Sequence, residues 1–218
     1  MLEILKNLDL TPFILSFKLA SITTLILFLL SLPLAWYLSQ SKSKAKPFIE
    51  ALTALPIVLP PSVLGFYILI VFAEVDLNFT FQGLVIASCF YSLPFMVQPL
   101  QGGFEGLNKN MLEASYIAGK SKLETLFRVA LPNIRPALLT ALIITFAHTV
   151  GEFGVILMIG GSIPNETKVA SIAIYEMVEI MEYGTAHIYS AIMLLISFVV
   201  LLSVYVFNHT QKRVGGVR

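Results

Sequence analysis

Two stretches of this chain carry side chains able to do chemistry. The first is AHTVGEFG, in which His148 and Glu152 stand one helical turn apart inside the otherwise apolar run from Pro136 to Ile159. Such a pair could relay protons across a membrane. It falls short of a metal centre, because a catalytic zinc wants three protein ligands and the other histidines, His187 and His209, are scattered along the chain. Cys89 is solitary, lies in an apolar run, and forms no intrachain disulfide. The second stretch is EASYIAGKSKLETLFRVALP, residues 113 to 132, a polar island in a chain that is 57% hydrophobic and 12% charged. Within it ASYIAGKS has the spacing of a phosphate-binding loop. Position 114, however, is Ala where that loop needs Gly to curl its amides around a phosphate, and no strand precedes it. Nucleotide binding at Lys120 is therefore not expected.

The polar island reads instead as a helical hairpin. Asn108 to Ala118 forms a short helix that stops at Gly119, a residue able to take positive φ. Ser121-Lys122-Leu123-Glu124 is a capping box that starts a second helix, with Leu123, Leu126, Phe127 and Ala130 on one face and Pro132 at its end. A leucine at 119 is expected to clash at the elbow.

These residues need elements to position them. With 218 residues, 16 Phe and a mean hydropathy of +0.85, the chain belongs in a bilayer. A crossing takes roughly 20 apolar residues, which places spans at about 13–38, 55–73, 83–101, 136–159 and 186–207. The fold class is thus an all-α polytopic membrane protein, a single transmembrane domain over 1–218, with a polar segment 105–132 on one side and a segment 160–185 on the other. Lys42, Lys44, Lys46, Lys109, Lys120, Lys122, Arg128, Arg135, Lys212, Arg213 and Arg218 fall on one side of this arrangement. That side is the cytoplasm by the retention of positive loops, so the N-terminus lies outside and the C-terminus inside. The opposite side receives Glu74, Asp76, Glu166, Glu176, Glu179 and Glu182, against Lys6, Lys168 and Lys18. In the leader MLEILKNLDL, Glu3 and Asp9 outweigh Lys6, so the first span is expected to stay attached. The net charge of +1 carries no argument for a nucleic-acid partner, and none is expected.

Inside the spans, Pro33, Pro56, Pro60, Pro61 and Pro94 interrupt helices, and LPIVLPPSVLGFY reads either as a helix lining a cavity or as a packing kink. Ser92, Thr140, Thr145 and Thr149 offer hydroxyls that could serve a pathway or simply pack. Gly151 and Gly154 flank Glu152. Lys18 and Glu152 come to similar depths, roughly 8 and 10 Å below the outer ends of their spans at 1.5 Å per residue. An isolated charge there is costly, so either the two pair, within one subunit or across a dimer, or Lys18 reaches the outer interface alone while Glu152 bonds backbone amides freed by the glycines.

The polar island also carries a family resemblance. Glu113-Ala114-Ser115, then three residues, Gly119, nine residues and Val129-Ala130-Leu131-Pro132 resembles the EAA loop of ABC-importer permeases, with Ser115 for the second Ala and Val129 for Ile. LSFKLASITTL, LPIVLPPSVLGFY, SLPFMVQPL and GEFGVILMIGGSIPNETKVASIAIYEMVE extend the likeness along nearly the whole chain, to permeases of the molybdate, tungstate and sulfate group with molybdate favoured. The resemblance implies a type I ABC importer permease fold in the cell (inner) membrane. It implies coupling to a dimer of ATPase subunits through Glu113, Ala114, Ser115, Gly119, Leu131 and Pro132. ATP and Mg would sit on those subunits, and this chain would bind no cofactor and be no enzyme. The remaining partners implied are a second copy with the pathway on the two-fold axis, and a periplasmic or extracellular oxyanion-binding protein, which Glu176, Glu179 and Glu182 could receive. Ser92, Thr145, His148, Thr149, Gly151, Glu152 and Lys18 are the candidates for pathway or gate. Two alternatives stand: a sulfate or thiosulfate permease, and an ion-coupled carrier using His148 and Glu152.

Overall fold

Uncharged runs of Leu, Ile and Phe cannot leave backbone amides open in hydrocarbon, and those of this chain fold as helices. The computed structural model describes residues 8–215, with side chains to Val206 except Val204. Glu3, Lys6 and Arg218, and the side chains of His209, Lys212 and Arg213, lie outside the described residues. Helix α1 spans Thr11–Gln40, where the Asp9 carboxylate accepts from the Thr11 amide at 2.9 Å. Helices α2, Lys46–Val58, and α3, Pro61–Ala73, follow. Helix α4, Phe81–Glu105, starts on a Thr80 cap that accepts from the Gly83 amide. The hairpin is α5, Lys109–Ile117, and α6, Lys122–Asn133. Beyond it come α7, Arg135–Val150, α8, Gly154–Gly160, α9, Ala170–Glu179, and α10, Tyr183–Gly215.

Two expected spans are corrected. The run 55–73 is not one helix, because α2 and α3 meet at a bend of 109°. Leu59 and Pro60 are extended, with ψ of 134° and 136°, since a residue before proline is pushed out of the helical region and neither proline can donate to the ladder. The run 136–159 is likewise two helices, interrupted at Gly151–Phe153. Among the described residues α1, α4 and Tyr183–Ser203 of α10 are long and apolar enough to cross a bilayer. The total reaches five only if two bent pairs, α2 with α3 and α6 with α7 (80°), each count as one crossing.

Helices α1, α4 and α7 form the central layer. Leu27, Ala35, Met96, Leu100, Phe104, Ala130 and Ala141 pack together there, with Trp36 edge-on to Phe104 at 5.0 Å. The contact is close because Gly103 faces Ala137, where a Cβ would stand 2.6 Å from the alanine methyl. Such small-residue contacts let helices approach in the absence of a hydrophobic force between them. Toward the other end Leu19, Leu84, Ile156 and Ile172 join α1, α4, α8 and α9.

Candidate functional site

The hairpin is assembled from local signals legible one by one. Asn108 caps α5 by accepting from the Asn110 amide at 3.0 Å, Gly119 takes φ +76° at the elbow, and the Ser121–Glu124 capping box is complete in both directions at 3.2 Å. Lys120 lies 3.6 Å and Arg128 3.9 Å from Glu124. The Ser121 amide, and after it the Lys120 charge, hold the Glu124 carboxyl below its ordinary value. The two helices are clasped by Ser115 and Thr125, whose hydroxyls lie 2.9 Å apart and buried.

That clasp corrects the expected apolar face. With Thr125 turned inward, only Leu126 and Ala130 of the four follow it into the core, while Leu123 is 68% and Phe127 59% exposed. Ile117 at 87% joins them on the outside. Glu113, Ala114 and Pro132 are exposed and Leu131 half-buried. Nor does Pro132 end its helix: Leu126–Ala130 widens to π winding, with the Leu131 amide reaching Leu126, and the bend comes at Ile134. A wide turn just ahead of a proline relieves its ring of the carbonyl four residues back. The expected clash at Gly119 is also absent, for nothing lies within 4 Å of where its Cβ would stand. Beside the hairpin, a cavity of about 410 Å³ opens between the end of α1 and α5, lined among others by Gln40, Lys42, Lys109, Glu113 and Tyr116.

A second polar node occupies the break between α7 and α8. Glu152 is 3% exposed, and its two oxygens accept from Ser88 at 2.6 Å and from Ser92 at 2.5 Å. Ser92 also meets Thr149 at 2.9 Å and His148 Nδ1 at 3.0 Å. His148 Nδ1 lies 3.5 Å from the carboxylate. The imidazole is stacked on Phe95, centroids 3.9 Å apart, with Tyr91 at 5.0 Å. Ser171, on α9, donates to the Glu152 carbonyl at 2.5 Å. Buried carboxylates persist where such donors satisfy them.

Four of the expected pathway residues, Ser92, His148, Thr149 and Glu152, are thus brought together, with Gly151 exposed in the break beside them. Thr145 is one turn away, fully buried, its hydroxyl without a partner among the described residues. Thr140 bonds back to the Pro136 carbonyl. Lys18 is elsewhere: its ammonium lies 4.5 Å above the Phe81 ring, and the expected pair with Glu152 is not made within the subunit because two serines already occupy the carboxylate. Ser88 and Ser171 escaped the sequence reading, although Ser88 stands one turn before Ser92 and that spacing marks a shared face. Also missed was a cluster joining α2 to α4, in which Lys46 meets Glu105 at 2.9 Å and Gln101 donates to both Glu50 and Glu105. On α9, Glu176 is paired with Lys168. Burial pushes the Glu176 carboxyl up, and the hydrogen bond and charge of Lys168 bring it below its ordinary value on balance. The Tyr175 hydroxyl donates to Glu179.

Comparison with known proteins adds four findings. The profile of the family described as binding-protein-dependent transport system inner membrane component matches residues 22–213. The chain is 45% identical, over 92% of its length and 95% of the relative's, to the molybdenum transport system permease protein ModB of Azotobacter vinelandii. It is 31% identical, over 89% of its length and 80% of the relative's, to the probable sulfate transport system permease protein cysT of Prototheca wickerhamii. Among solved structures, an inward-facing MetNI methionine ABC transporter superposes with a TM-score of 0.74 at 15% identity, over 90% of this chain and 92% of the other. At that identity the likeness speaks for the fold alone.

Proposed function

Because the chain belongs to the binding-protein-dependent transport system inner membrane component family, we propose that it is the permease subunit of an ATP-driven importer passing molybdate, or the similar anion tungstate, into the cytoplasm. The observation that carries this reading is the 45% identity to a molybdenum permease over nearly the whole of both chains. The chain is a multi-pass membrane protein of type I ABC importer permease fold. The hairpin supports an assignment of Glu113, Ala114, Ser115, Gly119, Leu131 and Pro132 to coupling, as a rigid lever that presents Ile117, Leu123 and Phe127 to a separate ATPase subunit binding ATP and Mg. The same end of the molecule holds Lys42, Lys109 and Glu113 around one cavity and Lys46 on Glu105, which favours that end as cytoplasmic, with the N-terminus outside. A second copy would complete a pathway on the two-fold axis, alternating as nucleotide states favour one arrangement over the other. A periplasmic or extracellular oxyanion-binding protein would deliver the anion. The node of Ser92, His148, Thr149, Gly151 and Glu152, with Thr145 one turn below, lies on the route in this reading.

Proteoliposomes holding this chain, its ATPase and its binding protein test the proposal. ATP-dependent accumulation of molybdate that a tenfold excess of sulfate leaves unchanged is the expected result. Sulfate uptake with molybdate excluded would favour the sulfate permease reading, for which the 31% relative speaks. Uptake by this chain alone under a pH gradient would favour the ion-coupled carrier.

A further inference from the structure

We propose that His148 is the side chain of this permease that the passing oxyanion touches, held for that contact by Ser92, Thr149 and Glu152; this rests on the oxyanion reading above. With Glu152 taken as a carboxylate, the hydrogen-bond inventory orients the ring. Ser88 and Ser92 have one O–H each, and both point at Glu152, at 2.6 and 2.5 Å, where an ionised carboxylate can only accept. The remaining lone pairs of the Ser92 oxygen face the Thr149 hydroxyl at 2.9 Å and His148 Nδ1 at 3.0 Å. A bare Nδ1 there would set lone pair against lone pair, so the network assigns the ring proton to Nδ1. Phe95, stacked at 3.9 Å, and Tyr91, at 5.0 Å, stop the ring from tilting. The opposite edge, which carries Nε2, has no hydrogen-bond partner among the described residues, and the side chain remains 21% exposed.

The ring stands beside a break unsuited to lipid. Gly151 is exposed beside it, in the non-helical break of Gly151–Phe153. Irregular backbone at membrane depth is tolerated where it lines a water-filled cavity or is buried in protein, not against hydrocarbon. The break of the other interrupted span meets this one: a Cβ on Gly154 would stand 2.8 Å from the Cβ of Pro61, at the start of α3 just past the 109° bend. The breaks at Leu59–Pro60 and at Gly151–Phe153 therefore lie side by side.

The chemistry fits passage. With a second proton, on Nε2, the ring offers an N–H to one oxygen of a tetrahedral anion, while Glu152 at 3.5 Å offsets its charge. The anion then meets a directed donor in place of an unpaired cation. Conduction needs a contact favourable enough to admit the ion and weak enough to release it, and an unopposed Lys or Arg in low dielectric would hold a dianion too long. Glu152 is a positioning residue in this account, acting only through the ring.

The test uses the complete importer in proteoliposomes, reading radiolabelled molybdate uptake per ATP hydrolysed. Wild-type uptake comes first, and its absence overturns both the function proposed above and this inference. His148→Phe keeps the stack on Phe95 and removes both N–H groups; it is expected to lower uptake per ATP at least about tenfold. His148→Gln keeps an amide N–H and is expected to retain more uptake per ATP than His148→Phe, and a loss equal to that of His148→Phe overturns the donor role. Should His148→Phe fail to assemble, His148→Met, also without an N–H, carries the same expectation. Glu152→Gln is expected to lower uptake where His148 is present and to add nothing to His148→Phe, as residues acting through one another do. Wild-type uptake per ATP in the assembled His148→Phe complex overturns the proposal, as does a Glu152→Gln loss that is the same with and without the ring.

Discussion

Gly119 has φ +76° and open space where its Cβ would go, so the cost of replacing it is backbone strain and not a clash. A β-branched residue held in the left-handed region costs about 1–2 kcal/mol, whereas asparagine visits it readily. Gly119→Val is expected to speed amide exchange across the elbow while Gly119→Asn stays close to wild type, as hydrogen–deuterium exchange would show; equal effects would mean that side-chain bulk and not φ is decisive. Glu124 gives a pH dependence at the same scale. Its carboxyl is lowered in the folded hairpin, first by the Ser121 amide and then by Lys120, so its contribution is present above the unfolded carboxylate value, about 4.3. It drains away as pH falls below that value. The first turn of α6 should therefore exchange faster, relative to the intrinsic rate, on acidification below about pH 4.3, and Glu124→Gln should remove that step. Within one subunit, depth and the cost of an isolated charge did not bring Lys18 to Glu152, for the side chains have nearer partners, Phe81 and two serines. Charge swapping at 18 and 152 is accordingly expected to rescue neither single mutant unless the two meet across a dimer, and rescue would assign the pair to that interface.

At the scale of elements the hairpin shows what a sequence can and cannot disclose. Its second cap and its elbow were legible because each depends on residues within four positions of one another, Ser121 on Glu124 and Gly119 on itself, whereas the Asn108 cap, equally local, was read only as the start of the helix. Its rotation was not, because the bond that sets it joins Ser115 to Thr125 across the elbow, and periodicity alone favoured Leu123 and Phe127 as the inward face. The same distinction separates the spans. Their apolar content was plain and the break at Leu59–Pro60 is local to its prolines, yet the interruption at Gly151–Phe153 is seen only where Gly154 meets Pro61 of another helix. The node at Glu152 was half visible: His148, Thr149 and Glu152 share a helical run, while Ser88 and Ser171 come from α4 and α9. Thr125→Val tests the clasp. It leaves the buried Ser115 hydroxyl, 8% exposed, without its partner, at a cost of about 1–3 kcal/mol. Adding Ser115→Ala removes the orphaned group, so the double variant should recover part of the loss in the melting of the purified chain. A double variant worse than Thr125→Val alone would deny the clasp its role.

For the whole molecule the question is which apolar surface meets lipid and which meets protein. Exposed leucines and phenylalanines along α1 and α10, such as Leu29, Leu30, Leu194, Leu195 and Phe198, lie in helices long enough to cross a bilayer and need no other cover. Ile117, Leu123 and Phe127 are different. They are 87%, 68% and 59% exposed on a hairpin that also carries Lys120, Lys122, Glu124 and Arg128, a density of charge that hydrocarbon does not accept. Apolar groups gathered among charges at a water-facing end mark a protein contact. In the proposed importer that contact is the ATPase subunit, and buried aromatic and aliphatic anchors at the centre of such a contact carry most of its free energy, about 2 kcal/mol or more each. Changing Ile117, Leu123 and Phe127 together to serine should leave membrane insertion and the melting of this chain nearly unchanged, since none of the three is buried within it. Co-purification of the ATPase should fall at least about tenfold, and hydrolysis in the residual complex should lose its response to the loaded binding protein. A triple variant that retains the ATPase in full would move the docking surface elsewhere, to the cavity bordered by Lys42, Lys109 and Glu113.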